Sequence, residues 1–484
     1  MKCSHLNIGI IHSLIGKNDG VSIVIDQTVN AMVKDMGIGL GNIYYLAAHS
    51  SPRFNAQTDD VFWHKSSLHA EIISTFQSEP APDLDERIHE QAQYAKRKIK
   101  DFVDNNSIDL LIAHNTSHPY NFITAVGLGY YAEELRSRGV IWPKFMVWWH
   151  DSYFERSIFS NPNDVMKKYL KYLPGTYVDG IAFINNSQPV VAKRYFESFG
   201  FSDTELFFAE RTDVVPNTSD IPWEWERCDW DTGVLVAPEQ DNYNDNFFRD
   251  CGLLDRLETR GLTLDDAVIL LQHTRIVPRK RIDTALEFAY RLHGKMATEG
   301  VDKCVCLLVS GHSGDEQVAY KEFLVSYCDE LQEKYPSAKV ELIFGEHCIL
   351  SHRDIIVDKK YYKFAEIPSI VAAHNGMGTY FSDVEGFGNN LLEMMCQGLP
   401  VVINKYEVYK TDIEHLNFRL PPIEDCKITE NLLEAAFLIL TNNDYRNLLV
   451  KHNLEILESK LDHRIIAEKI EPLIVRMFTK KLHY

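Results

Sequence analysis

Two glutamates, Glu385 and Glu393, bracket a glycine turn, Gly386-Phe387-Gly388, with seven residues between them. Carboxylates beside a flexible, N–H-rich turn suit a ligand that carries both hydroxyls and an anion. The carboxylates accept from the hydroxyls, while the turn and the helix start behind it offer N–H donors and the positive end of a dipole. Asn389 or Asn390 is a good N-cap, Leu391 onward are helix formers, Gly398 suits a left-handed stop and Pro400 forbids continuation. Val401, Val402 and Ile403 then begin a buried strand. The same residues allow a purely structural alternative, since Asn390-x-x-Glu393 is also a capping-box pattern. Upstream, Arg275 and Lys280 lie on one loop between a strand over 267–272 and an amphipathic helix over 282–292. Cations so placed can clamp a diphosphate, the arginine as a planar fork and the lysine as a point charge, which stabilises a departing nucleotide. Arg279 and Arg281 compete for that role, and solvated loop cations are the bland alternative.

These groups need a sheet to hold them, and the chain supplies two. In the first half, apolar runs at 7–12, 43–48, 109–114, 145–149 and 181–184 read as parallel strands, with helices over 21–36 and 84–104 between them. Their carboxyl ends carry the polar residues. Asp19 and Gly20 close a turn after the first strand, a place for phosphate or sugar at the edge of a parallel sheet, although no G-x-G-x-x-G is present. Asn115 and His118 lie on a polar loop after the third strand, and His150-Asp151 follows the fourth. His114 and His118 are four apart, but Pro119 argues against a helix presenting both to a metal, so acceptor binding is the functional reading of His118. The second half restarts the architecture at 267–272, continues through 304–310 and 340–344, and ends in helices over 432–440, 443–460 and 464–478. Segments 222–250 and 346–366 look like insertions.

Composition narrows the classes. At 484 residues the chain is too long for one ordinary core. A formal net charge of −19 argues against nonspecific nucleic-acid binding and disfavours anionic membranes. No apolar run reaches membrane-spanning length and no signal peptide is evident, so a cytoplasmic location is expected. Nine scattered cysteines suggest reduced thiols. Asp229-Trp230-Asp231 is formally a DxD metal motif, but so short a pattern recurs by chance.

The stretch 382–402 resembles the E-x7-E segment of retaining glycosyltransferases of family 4, matching at Glu385, Gly386, Phe387, Gly388, Glu393, Gly398, Pro400, Val401 and Val402 and departing at Met394, Met395 and Gln397. Arg275 to Lys280 resembles that family's Gly-Arg-x4-Lys-Gly loop, with Thr274 and Arg281 in place of the glycines. The first loop is similar only at Gly20, since Asp19 replaces the other glycine. The resemblance implies an α/β GT-B fold: two Rossmann-like domains facing across a cleft, with a C-terminal helix crossing back. The expected limits are 1–216 for the acceptor domain, 217–460 for the nucleotide-sugar domain and 461–484 for the returning helix. It implies a retaining hexosyl transfer (glucose or mannose) from UDP- or GDP-hexose as co-substrate, with no metal and no tightly bound cofactor. Arg275 and Lys280 would neutralise the diphosphate, Glu393 would hold the ribose and Glu385 the sugar. The backbone from Gly386 through Phe387, Gly388, Asn389 and Asn390 to Leu391 would position both, and His150 would approach the transferring sugar. Asp19, Asn115, His118 and Asp151 fall to the acceptor, expected to be a small soluble sugar or glycerate glycoside. Polysaccharide or glycolipid assembly, a phosphorylase-like use of phosphate, an epimerase and a non-catalytic nucleotide-sugar binding protein are the alternatives. A homodimer is left open.

Overall fold

The computed structural model describes residues 3–16, 20–173, 175, 177–201, 203–222, 242–312 and 318–479. The chain divides into two compact units, Met1–Thr218 with His463–Tyr484, and Ser219–Asp462.

In the first unit, short runs of Ile, Leu, Val and aromatic residues form strands because both faces of a parallel sheet are covered. The strands are β1 (Ile8–Ile11), β2 (Leu14–Ile15), β3 (Ile43–Ala47), β4 (His49–Ser50), β5 (Gln57–Thr58), β6 (Leu110–His114), β7 (Lys144–Trp149), β8 (Gly180–Phe183) and β9 (Thr212–Val214), of which β4, β5 and β9 are short and more polar. Seven of them make one parallel sheet in the order β5-β3-β1-β6-β7-β8-β9, and β2 pairs with β4 in a separate two-stranded sheet. Helices α1 (Gly20–Lys34), α2 (Leu84–Asn106), α3 (Phe122–Ser137) and α4 (Gln188–Ser198) belong to this unit. Ile88, Ala92, Ala95, Ile99 and Phe102 of α2 form the stripe that packs into its core. Sequence periodicity does not show α3, because its first eight residues are all buried and the apolar run has no polar face to give it a helical period.

The second unit carries β10 (Ala267–Gln272), β11 (Cys304–Val309), β12 (Val340–Phe344), β13 (Ile349–Leu350), β14 (Asp354–Ile356), β15 (Lys359–Lys363), β16 (Met377–Tyr380), β17 (Val401–Asn404) and β18 (Pro422–Ile423). Its main sheet runs β12-β11-β10-β16-β17-β18, all parallel, which is the doubly wound Rossmann order. The segment 346–366 contributes a separate three-stranded sheet, β13-β15-β14. Helices α5 (Ile282–Thr298), α6 (Val318–Lys334), α7 (Ile367–Ala373), α8 (Asn389–Cys396), α9 (Glu430–Thr441) and α10 (Asn443–Lys460) belong here. The last helix, α11 (Arg464–Thr479), belongs to the first unit, where it packs on α1, β8 and β9. Each main sheet reverses direction at one place, between β1 and β6 in one unit and between β10 and β16 in the other. Crevices at the carboxyl ends of such strands are where doubly wound sheets take ligands.

Among the described residues no helix is long and apolar enough to cross a membrane.

Candidate functional site

In the second unit, the loops that leave β10 and β16 meet at that reversal. Lys280, only 5 % exposed, ends a 3-10 turn (Pro278–Lys280) and ion-pairs with Glu385, whose side chain is 8 % exposed. Arg279 donates from Nη1 to the Val384 carbonyl at 2.6 Å and to Glu385 Oε2 at 3.3 Å, while the Asp383 amide donates to the Arg279 carbonyl at 2.9 Å. Burial pushes the Glu385 carboxyl up, but Lys280 and Arg279 outweigh it and hold the pKa at about 2. Burial also lowers Lys280, to about 8, against the pull of Glu385. Both partners are therefore predominantly charged at neutral pH. Arg275 stands exposed at the start of the same loop, and its charge adds to that of Arg279 in lowering Lys280.

Buried polar contacts fix this loop from beneath. Gln272 Nε2 donates to Thr274 Oγ1 at 2.9 Å, and Thr379 Oγ1 donates to Gln272 Oε1 at 2.7 Å, tying β10 to β16. Arg281, which stands where the resemblance has glycine, adopts a left-handed φ of 50° and turns its guanidinium to Asp283 and Asp383. That orientation serves the loop itself. Arg281→Gly is accordingly expected to change nucleotide affinity by less than about twofold, because glycine takes the same φ without strain. Titration of UDP and GDP against both proteins checks this, and a large loss would place Arg281 in the clamp.

The helix after the turn starts one residue earlier than the asparagines suggest. Gly388 is the N-cap of α8 at φ 127°, and neither Asn389 nor Asn390 caps it. A Cβ at Gly388 would lie 2.4 Å from the Tyr406 hydroxyl, which donates to the Phe387 carbonyl at 2.7 Å. Asn390 Nδ2 instead donates to the His273 carbonyl at 2.5 Å, and Glu393 faces His273 Nε2 at 3.5 Å. This arrangement replaces the capping box, and it leaves Glu393 Oε2 buried without a hydrogen bond. The His273 ring is held by stacking on Phe364, centroids 3.9 Å apart, and by Ser310 Oγ, 2.8 Å from Nδ1. Phe387 and Leu391 bury their side chains, so their backbone is what a ligand could meet. The supporting residues His273, Phe364 and Tyr406 carry no motif; a polar residue directly after a buried strand is the only sequence signal for His273.

In the first unit the sheet reversal is lined by histidines. His12 follows β1, His114 ends β6 and His150 follows β7. His12 Nδ1 lies 3.1 Å from the His114 carbonyl, and His114 Nδ1 lies 3.1 Å from His150 Nε2. Periodicity gave no reason to group them, since their proximity comes from strand order. Asn115 turns the chain at φ 58° and accepts, through its carbonyl, from Asn121 Nδ2. His118 Nε2 is 3.9 Å from Asp151 Oδ2, and Asp151 is also bound by Arg156 Nε at 2.8 Å. His118 and His114 therefore point to different partners. Gly20 opens α1, while Asp19 and Asp229-Trp230-Asp231 lie outside the described residues. Among the described residues no cluster of three or more His, Cys, Asp or Glu is arranged to hold a metal.

Burial pushes His118 down to about 4 and His150 to about 3, and lowers His114 well below the usual range. These rings are neutral in the folded protein but would protonate near pH 6.5 once unfolded. Their contribution to stability is therefore complete above that pH and is lost on acidification. Each histidine removes roughly 1.4 kcal/mol per pH unit between its two values. Thermal unfolding followed from about pH 7.5 to 5 should show the midpoint falling below pH 6.5, and His118→Gln should flatten that fall; a level profile would contradict the assignment.

No protein-family model matches the chain. It is 24% identical over 442 residues to a mannosylglucosylglycerate synthase of Petrotoga mobilis, covering 86% of each chain. A mannosylglucosylglycerate synthase of Thermotoga maritima is 28% identical over 211 residues, 39% of this chain and 44% of that one. Among solved structures, Anabaena HepE in complex with UDP and glucose superimposes with a TM-score of 0.55 at 13% identity, covering 97% of this chain and 100% of the other. A UDP-forming trehalose-phosphate synthase from Burkholderia xenovorans gives 0.58 at 10% identity, covering 98% and 99%. The chain has the GT-B fold, and its similarity to the two synthases supports a glycosyltransferase.

Proposed function

We propose that the protein is a retaining, nucleotide-sugar-dependent hexosyltransferase that glycosylates a hydroxyl of a small glycerate glycoside. The observation that carries this reading is the cluster at the sheet reversal of the second unit, a buried Lys280–Glu385 pair joined by the half-buried Arg279. Such a cluster offers cations to a diphosphate and a carboxylate to sugar hydroxyls within one constellation. The buried Glu393 Oε2 adds an acceptor suited to a ribose hydroxyl.

In this reading Lys280, Arg275 and Arg279 take up charge as the anomeric C–O bond to the diphosphate breaks. Glu385 orients the hexose and Glu393 the ribose, with the backbone from Gly386 to Leu391 between them. Gly20 serves the diphosphate side. The developing centre is oxocarbenium-like, as in glycoside hydrolysis. The acceptor oxygen forms the new bond to the anomeric carbon and its proton leaves with the nucleoside diphosphate. His150 is assigned to the transferring sugar, and Asp19, Asn115, His118 and Asp151 to the acceptor. Three protein cations supply the charge that a metal provides elsewhere, so turnover should survive EDTA. The names of the two similar synthases, which join mannose, glucose and glycerate, favour a mannosyl donor and a glucosylglycerate acceptor.

The test incubates the protein with GDP-mannose, UDP-glucose, GDP-glucose and UDP-mannose, each with glycerate and with glucosylglycerate, and follows nucleotide release and the product by NMR. An α-linked product from an α-configured donor supports the reading. Nucleotide binding without turnover of any pair points to a binding protein, and donor conversion without acceptor to an epimerase.

A further inference from the structure

A line of rings runs across the loops at the carboxyl edge of the first unit's sheet. His49 meets Trp63 with centroids 4.5 Å apart, Trp63 meets His64 at 4.6 Å, His64 meets Tyr120 at 6.3 Å and Tyr120 meets His118 at 4.7 Å. All lie within the range over which aromatic pairs attract. Two observations distinguish this line from core packing. Tyr120 is 44% exposed and His49 is also exposed, while Trp63 and His64 are half-buried, so the line lies at the surface. It is also pinned at its middle and at its His118 end. His64 Nδ1 lies 2.7 Å from Ser13 Oγ, which also accepts from the His64 amide at 3.1 Å, and Ser13 directly follows His12 at the end of β1. At the His118 end, His118 Nδ1 accepts from the Tyr120 amide at 3.2 Å, and the buried Phe159 ring stands edge-on to His118. An acceptor nitrogen at this position requires the neutral imidazole that burial enforces.

We propose that this line of rings is the platform on which a hexose ring of the acceptor stacks, with Tyr120 the principal contact. The inference rests on the transferase reading and deepens it. A pyranose has one face of C–H groups and a rim of hydroxyls. An exposed aromatic ring meets the face, and the neighbouring imidazoles meet the rim. Because the ring is held before binding, little side-chain freedom is lost on contact. The rings carry no fixed charge, His118 is kept neutral, and the Arg156 guanidinium near it is paired with Asp151, so the platform selects the neutral sugar part of a glycoside and not a carboxylate or phosphate. Tyr120 is then an affinity and specificity residue with no part in bond breaking.

The experiment titrates glucosylglycerate and methyl α-glucoside, and separately UDP and GDP, into wild type, Tyr120→Ala, Tyr120→Phe and Trp63→Ala. Binding is read by calorimetry and by saturation transfer from aromatic protons. Tyr120→Ala should weaken glucosylglycerate binding about tenfold, equivalent to losing one good contact. Tyr120→Phe should bind like wild type, and saturation should appear on the hexose C–H protons. Nucleotide affinity should be unchanged throughout. Wild-type affinity in Tyr120→Ala, or no binding of either glycoside by wild type, overturns the platform. If nucleotides still bind in that case, the transferase reading stands without it; if neither class binds, both fall.

Discussion

Lys280→Ala is expected to lower kcat/KM by about a thousandfold, since a single charge-stabilising donor at a developing anion is commonly worth 10² to 10³. The lysine is buried and committed to Glu385, so its removal acts twice. The departing diphosphate loses its point cation, and the Glu385 carboxylate keeps Arg279 as its close cation. Breaking a buried pair on one side costs about 3–5 kcal/mol, with the remaining guanidinium reducing the loss here. The pH dependence separates the two effects. Glu385 sits at about 2 in the folded protein, well below an ordinary glutamate near 4.3. It therefore contributes stability that is complete above the ordinary value and is lost as pH falls toward 2. In Lys280→Ala the folded pKa rises, and this contribution shrinks. The double variant Lys280→Met, Glu385→Leu should regain much of the melting temperature, because neither charge is then buried alone, and should regain no activity. Steady-state kinetics and melting curves on the three proteins decide the matter. Activity retained in Lys280→Ala would reduce the pair to a structural device and remove the main support for the transferase reading.

The second large effect is expected at a residue that no motif marks. A Cβ at Gly311 would lie 2.0 Å from the Thr274 carbonyl oxygen, 2.5 Å from its carbon and 2.8 Å from the Arg275 amide nitrogen. These are backbone atoms, and Thr274 is held from below by Gln272, so nothing nearby can swing aside. Gly311→Ala must push the whole 274–280 loop outward. Overpacking of this kind costs about 1–3 kcal/mol, and the displacement should weaken UDP or GDP binding by about tenfold or more, one 1.4 kcal/mol step. Gly294 provides the control. It lies inside α5 with nothing within 4 Å of its Cβ position, so Gly294→Ala should raise stability by about 0.4–1 kcal/mol and leave nucleotide binding alone. Equal behaviour of the two variants would show that the loop is not seated as described.

Most strands were legible because a buried parallel strand is a short apolar run with a polar residue at its end. The runs at 267–272 and 340–344 coincide with β10 and β12. What escaped has physical causes. Helix α3 is buried along its first half and shows no period. The sheet in 346–366 turns through Val357 and Asp358, both left-handed at φ 49° and 62°, and neither residue announces a hairpin as Asn-Gly would. The helix after the glycine turn was assigned to the wrong cap because asparagine is the better N-cap by chemistry, whereas Gly388 is the residue able to adopt φ 127°. The candidate site was legible as residues and not as a geometry. Lys280 and Glu385 are 105 positions apart, and only the sheet order brings them together. Arg279, on sequence alone a competitor for the clamp, meets Glu385 directly.

The last helix has a consequence for how the protein is made. Arg476 on α11 donates to the Glu210 carbonyl at 2.9 Å, and Met477 lies where a side chain at Gly180 of β8 would be. The first unit thus draws its closing piece from beyond the whole of the second. On a ribosome adding about 5–20 residues per second, the β8–β9 flank emerges early and then waits for tens of seconds, with the apolar surface that α11 covers still open to solvent. The second unit has no such debt and can close as soon as it leaves the exit tunnel. The half of the molecule translated first is therefore the half completed last, and its nascent chain is the one that chaperones have the longest opportunity to meet.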